Sequence, residues 1–583
     1  MNRFFRPLVF ALILAFAFAG CTRRDGNGVD SRTLRLVSAG KVRTTDPIHA
    51  DDLYSIEQAS QVYEGLLEYD YLKRPYRIAP LLAERLPDIS ADGLTYTFRL
   101  RPNATFHDDP CFAATGGKGR AVRAADVVYS IERFADPREE SSMWYMFDGK
   151  IEGLNEWKKA QAAKARTDYD SPVAGLRAID DRTVVIRLTR PVHQFLYVLA
   201  MNHAAIVARE CVERYGKDFG QHPVGTGPWI AREFKPDFQM TYDRNPRYYG
   251  RYPSEGDSDD VSAGRLADAG KPLPLADHLV YTVGKESQPN WLNFLKGNFS
   301  VLGVPKDLLA EVVDPSGSLR PEFSKKSVAL HRSPSMFHYH FTFNMKDPLL
   351  GKNKALRQAI LSALNVDELI ALFAPGRATK ANGFIPNTTA DYDPKVVAPY
   401  LDFSLDRAKK LLAKAGYPEG KNLPPISYDG FTDSTNRQIA EWVVRSLRAA
   451  HIPVELHLAD WADFEKRLNA RQTGIFLLGF GLDYPDAENV FVNLWGKNQA
   501  PSINDSGYAN PAFDRMYERM AKMEPGPERR KLLQEMNAFV NEEVPQAVLY
   551  YSIDNTLTQP WVRNFKPDIF DLRAPKFWRV QAP

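Results

Sequence analysis

Apolar positions change period along this chain, and the changes divide it. Thr33–Ser38 alternates and predicts a strand, while Ile56, Ala59, Val62, Tyr63 and Leu66 recur at helical spacing. Asp92-Gly93 is a hairpin signal before the alternating run 94–100, residues 124–134 carry a helical stripe, and Asp180-Asp181 turns into a second strand over 183–188. The first third therefore reads as α+β with hairpins. Phe337, Tyr339, Phe341 and Phe343 share one face of a period-two run. Beyond it Leu356, Ala359, Ile360 and Ala363 make a helical stripe, and Asn365 with Glu368 forms a capping box for the next helix. From Pro425 the elements alternate: strand 426–428, helix 436–450, strand 454–458, helix 461–471, then a strand from Ile475. That is βαβαβ, a parallel or mixed sheet covered by helices. Two further helices, 512–523 and 528–543, precede a last strand at 547–552.

The segment 473–486 holds the most informative chemistry. Ile475-Phe476-Leu477-Leu478 is continuously apolar, as a strand buried on both faces would be. Gly479-Phe480-Gly481 follows, with two missing Cβ atoms leaving room for another backbone. Asp483 then sits at the strand's carboxyl end, where ligands of open α/β sheets bind. A carboxylate there is costly to desolvate unless a cation or several donors meet it. No Lys or Arg lies between Arg471 and Lys497, so a cation comes from a distant segment or from a ligand. The alternative is local: Asp483 or Asp486 caps a helix over 487–495, with Pro485 in its first turn.

Composition narrows the partners. The 583 residues imply several domains or one elaborated one, and 44% hydrophobic with 25% charged residues is ordinary for a globular chain. A net charge of +3 argues against nucleic acid, which needs a concentrated basic surface, and 12% aromatic content suits ligands held by flat apolar faces. Arg3 and Arg6 precede an apolar stretch, 8–19, too short to span a bilayer, so residues 1–21 form an export signal. Of the remaining cysteines, Cys111 and Cys211 form a disulfide in an oxidising compartment or stay as two buried thiols.

Several other chemistries are weak. Pro223–Trp229 is glycine-rich but lacks the Lys-Ser/Thr pair of a phosphate loop. The acidic stretch 251–271 reads as a solvated surface insertion. His338 and His340 share a strand face at a spacing able to hold a metal, but no third ligand lies nearby, so no metal and no cofactor is assigned. Asp108-Asp109 and Asp483 with Asp486 are carboxylate pairs, yet there is no Gly-x-Ser-x-Gly elbow and no His-Glu-x-x-His, so a secreted hydrolase is the distant alternative.

Taken together, a series of motifs resembles the family 5 extracellular solute-binding proteins, the peptide, dipeptide and nickel receptors of ABC importers. The series runs Thr45-Asp46-Pro47, Tyr63-Glu64-Gly65-Leu66-Leu67, the 92–98 hairpin, Phe106-His107-Asp108 and 125–133 (ADVVYSIER). It continues with Gly225-Thr226-Gly227-Pro228-Trp229, Asn344, Arg357-Gln358-Ala359-Ile360, 408–417 and Asp483-Tyr484. The resemblance implies a mixed α/β fold of the type II periplasmic-binding-protein kind, class C, in which two lobes close over a ligand and an extra domain is added. It assigns residues 33–68, 191–335 and 548–583 to lobe I, 69–190 to lobe II and 336–547 to lobe III. The strands 337–344 and 547–552 are the hinge candidates. Phe18-Ala19-Gly20-Cys21 resembles a lipoprotein processing box, departing from it at Phe18, with Cys21 the lipid acceptor and 22–32 a tether.

In peptide-binding members the aspartate matching Asp483 pairs with the ligand's α-ammonium, and a strand matching Leu53 and Tyr54 meets the peptide backbone. The resemblance thus implies a ligand site of Asp483, Gly479, Phe480, Gly481, Leu53 and Tyr54, although Tyr54 and Phe480 also suit ordinary packing. Where some oligopeptide binders carry an arginine for the ligand's carboxylate, this chain has Leu477. The expected function is capture of di- or oligopeptides by an exported, membrane-anchored monomer that delivers them to an ABC permease. A nickel complex or an oligosaccharide is the alternative ligand.

Overall fold

The computed structural model describes residues 32–314, 317–499 and 503–581, so the export signal, Cys21 and the tether through residue 31 lie outside the described residues. Two long antiparallel strands, Ala329–Phe343 and Gln546–Thr558, are the axis of the largest sheet. Val301–Gly303 and Ala378–Lys380 pair with the second of them; Ile475–Gly481, Ile426–Phe431 and Val454–Ala459 extend the sheet beyond the first. Ile426–Phe431 runs parallel to Val454–Ala459 and meets Ile475 in the same sense, so the expected βαβαβ unit is present, with helices Ser434–Ala449 and Trp461–Asn469. Ile475, Phe476, Leu477 and Leu478 are 0%, 0%, 8% and 9% exposed, as a strand covered on both faces requires.

The axial pair is not uniform. Ala329–Pro334 faces Ile553–Thr558, His338–Thr342 faces Gln546–Tyr551, and the register breaks between Pro334 and His338 and again between Tyr339 and His340. Proline removes a ladder donor and a bulge sharpens the local bend, so the strands change direction where they pass from one half of the molecule to the other. The first half holds two four-stranded sheets. One orders Thr33–Ser38, His278–Val283, Gln239–Arg244 and Trp229–Lys235; the other orders Asp88–Ile89, Thr95–Arg99, Thr183–Arg187 and Leu176–Ala178, with helix Ala124–Ala135 packed on it.

The sequence motifs turn out to be one another's partners. Asp46 is clamped by both terminal nitrogens of Arg133 at 2.8 and 2.7 Å, and that pair is buried; the guanidinium holds the carboxyl far below the usual range despite the burial. Glu64 is fully buried and accepts from Thr226, Tyr248 and Tyr249. The glycine-rich segment closes the helix Leu53–Val62: Gly227 N donates to Val62 O, and a Cβ on Gly225 would lie 2.1 Å from that same oxygen. Asn344 donates to the carbonyls of Arg471 and Thr473, and Arg357 to those of Glu543 and Val544. These residues tie distant segments together and are sealed from any ligand.

The acidic stretch 251–271 lies mostly at the surface, as expected of a solvated insertion, but Asp260 and Asp268 are 0% and 1% exposed, held by Lys566 and Arg265 and by Arg579 and Lys271, which fastens the insertion to the chain's last segment. One expectation is corrected. Leu53 and Tyr54 do not lie on a strand. They open the helix Leu53–Val62, whose cap Asp52 accepts from Ser55 N at 2.9 Å, because a carboxylate three residues before Ser55 satisfies a free N–H of the first turn. Cys111 and Cys211, 100 residues apart, are joined in a disulfide.

Candidate functional site

Gly479 and Gly481 sit opposite Tyr339 and Phe337 on the neighbouring strand. A Cβ on them would lie 3.1 Å from the Tyr339 ring and 2.9 Å from the Phe337 ring, so aromatic rings, rather than the expected second backbone, occupy the space. Between the glycines, Phe480 points to the other face and packs on His338 with ring centroids 5.5 Å apart. Leu477 is a core residue of the same strand and holds no polar group against a ligand.

Past the strand the chain turns and presents two carboxylates with opposite circumstances. Asp486 accepts from Glu488 N at 2.8 Å, but the N-cap position of the following helix is Ala487, so neither aspartate is the cap. Asp486 is also ion-paired with Arg529 at 2.6 Å, both side chains nearly inaccessible. The helix it leads into is Glu488–Phe491, followed by a 3-10 turn, Val492–Leu494. Asp483 has no such cation. Asn489 braces it, accepting from Asp483 N at 2.9 Å and donating to the carboxylate at 3.1 Å, and the Tyr145 hydroxyl approaches at 3.5 Å. Among the described residues no Lys, Arg or His nitrogen lies within 4.0 Å of that carboxylate. Burial raises its pKa; the bonds from Asn489 and Tyr145 and the charge of Lys150 offset this only in part.

Lys150 is the nearest competitor for the role of counter-ion. Its Nζ donates instead to Tyr145 O at 2.6 Å, and burial pushes its pKa down to about 8. Glu488, beside them, takes the hydroxyls of Tyr484 and Tyr517 and is pushed up by burial. The surroundings of Asp483 are therefore acidic, with the Arg529 guanidinium spent on Asp486 and the Lys150 ammonium bonded to a carbonyl.

Tyr145 belongs to a short 3-10 helix, Ser142–Met146, that reaches two of the expected site segments. At one end Ser142 donates to Asp51 at 2.9 Å, next to the helix that Leu53 and Tyr54 open; at the other Tyr145 meets Asp483. Leu53 is 54% exposed there, while Tyr54 is packed over Gly40. Further contacts join the same two halves: Tyr197 stacks on Tyr484 at 5.7 Å, and His193 bonds to Lys522 O at 2.9 Å and pairs with Glu524 at 3.0 Å. Asp483 thus lies where residues 142–197 close onto 483–524. Tyr145, Lys150 and Asn489 carry no motif. Only Asn489 had a local signal, an amide one helical turn beyond the bend.

Comparison with known proteins places this geometry in a family. The profile described as "Bacterial extracellular solute-binding proteins, family 5 Middle" matches residues 77–502. A glutathione-binding protein, GsiB, of Pectobacterium atrosepticum is 26% identical, covering 82% of this chain and 81% of its own. Di/tripeptide-binding protein 4 of Pseudomonas aeruginosa is 26% identical, covering 94% and 93%. The periplasmic binding protein DppA of Helicobacter pylori, solved with the peptide STSA, superposes with a TM-score of 0.69 at 22% identity, covering 95% of this chain and 99% of that one. With the profile spanning well over half its length, and the type II fold shared throughout, this chain belongs to the family 5 bacterial extracellular solute-binding proteins.

Proposed function

We propose that this protein captures short peptides with a free amino terminus and hands them to an ABC permease. The observation that carries the reading is the contrast within one turn of chain. Asp486 has its own arginine, whereas Asp483 is a half-buried carboxylate whose nearest partners are an amide and a hydroxyl. A ligand ammonium supplies the missing positive charge by a charge-assisted contact. Tyr145 then carries the ordering of that contact from strand 475–481 to the other half of the molecule. Gly479, Phe480, Gly481, Leu53 and Tyr54 complete the proposed site, the exposed edge near Leu53 meeting the peptide main chain without regard to side chains. The relatives that bind di- or tripeptides and glutathione support it, since each of those ligands has an α-ammonium. Recognition of the far end of the ligand takes a different form here, because Leu477 is in the core.

The division into lobe I (33–68, 191–335, 548–583), lobe II (69–190) and lobe III (336–547) is part of the proposal, supported by the register breaks in the two axial strands. So are export, a lipid on Cys21 as membrane anchor, and a monomeric state without turnover of the ligand; no helix among the described residues is long and apolar enough to cross a membrane. Calorimetry with one peptide in free and N-acetylated forms tests the central claim. The free form is expected to bind and the acetylated form to lose most of its affinity; equal affinities would refute the ammonium contact.

A further inference from the structure

The strand that flanks the site carries an unusual pair on its other face. His338 and His340 are 3% and 4% exposed. Nδ1 of His338 and both ring nitrogens of His340 are buried with no protein group bonded to them. Buried polar groups are nearly always satisfied, so three such atoms on adjacent same-face residues call for an occupant. The two rings are 5.8 Å apart, centroid to centroid, a separation that two imidazoles keep when they share one ion at bonds of about 2.0–2.1 Å.

The surroundings decide which ion. Opposite the pair stand Phe480, Leu478, Val548 and Tyr551, and the Tyr551 hydroxyl is already spent on the carbonyls of Gly383 and Ile385. No carboxylate is bonded to either ring, so nothing there offsets a double charge, and a divalent ion would be left with its full charge in an apolar shell. Burial holds both rings neutral, which is the form that ligates a metal and not the form that attracts an anion.

We infer that His338 and His340 form a binding site for a single monovalent soft cation, copper(I), independent of the Asp483 site. Only ligation is involved, with no change of oxidation state. The test is an anaerobic competition of the full mature chain against a coloured copper(I) chelator, repeated with silver(I). One equivalent of either ion is expected to be withdrawn, and the His338→Leu and His340→Leu variants are expected to lose at least 100-fold in affinity while unfolding as cooperatively as the parent. X-ray absorption on the loaded parent, which needs no variant, should report two imidazole nitrogens. No withdrawal from the chelator, retention of copper(I) by the double variant, fewer than two imidazoles, or equal occupancy by zinc(II) or nickel(II) would each overturn the assignment. A pair bridged by water alone gives the first of these results.

Discussion

Replacing Asp483 by asparagine separates a ligand-facing charge from a structural one. The substitution keeps an oxygen for the Asn489 amide, keeps the volume, and removes only the charge. In the ligand-free protein that charge is a burden: burial raises the pKa above the ordinary 3.8, so the unfolded chain gives up the proton more readily than the folded one. Stability is therefore lost as pH rises from the unfolded value through the folded one. The variant should be at least as stable as the parent at pH 7, and its excess should vanish in acid. Binding moves the opposite way. Truncating one partner of a buried hydrogen-bonded charge pair costs about 2–5 kcal/mol. At about 1.4 kcal/mol per decade, that is a weakening of roughly 30-fold to several thousand-fold. The stabilisation by a peptide at 100 times the parent's Kd, about 2.7 kcal/mol, would fall to about 0.9 kcal/mol or less. Calorimetry and thermal unfolding with and without peptide read both effects on one sample. A destabilised apoprotein that still binds normally would mean that Asp483 is a local brace, and the ammonium argument would fail.

Four further outcomes follow from particular contacts. Arg529→Met should destabilise by about 3–5 kcal/mol in urea titrations, because it strands Asp486 and weakens the hold on Asp391 in nearly inaccessible surroundings. Glu57 has no cation and its pKa is pushed up to about 8 by burial, so stability should decline between pH 4.5 and 8, and Glu57→Gln should flatten that slope in unfolding curves measured across the range. Reduction of the Cys111–Cys211 bond, which closes a loop of 100 residues, should lower the free energy of unfolding by up to about 4.7 kcal/mol and shift the denaturant midpoint accordingly. Tyr145→Phe should leave Tm unchanged, since its hydroxyl lies 3.5 Å from Asp483 on a half-exposed side chain, but weaken peptide binding by a few-fold in calorimetry.

Local periodicity made most elements legible. The strand 475–481 and the βαβαβ unit needed only an apolar run and alternating segments, both of which act over a few residues. Asn365 was readable as a cap for the same reason. Residues 53 and 54 went wrong because a likeness between motifs was allowed to outweigh a plain local cue, Asp52 three residues before Ser55 N. In 251–271 the surface character was legible, but the burial of Asp260 and Asp268 was not, because their partners Lys566 and Arg579 lie some 300 positions away. Tyr145 shares that distance problem, standing 338 residues from Asp483 with nothing in its neighbourhood to mark it.

The same distances explain why the strongest motifs are not the site. Asp46 with Arg133, and Glu64 with Thr226, Tyr248 and Tyr249, are charged or polar groups buried in the core and satisfied by the protein itself, so each is fixed by its partners. A binding group has to break that rule, because a carboxylate already satisfied by the protein has nothing left to offer. Asp483 breaks it, and it does so three residues from Asp486, which obeys it. The proposed binding residue is thus distinguished from its neighbours by the partner it lacks, a property of the folded chain that no motif encodes. If an arginine introduced at position 145 drew Asp483 into an ion pair, the protein should become more stable and lose its peptide together, the two losses and gains tracking one carboxylate.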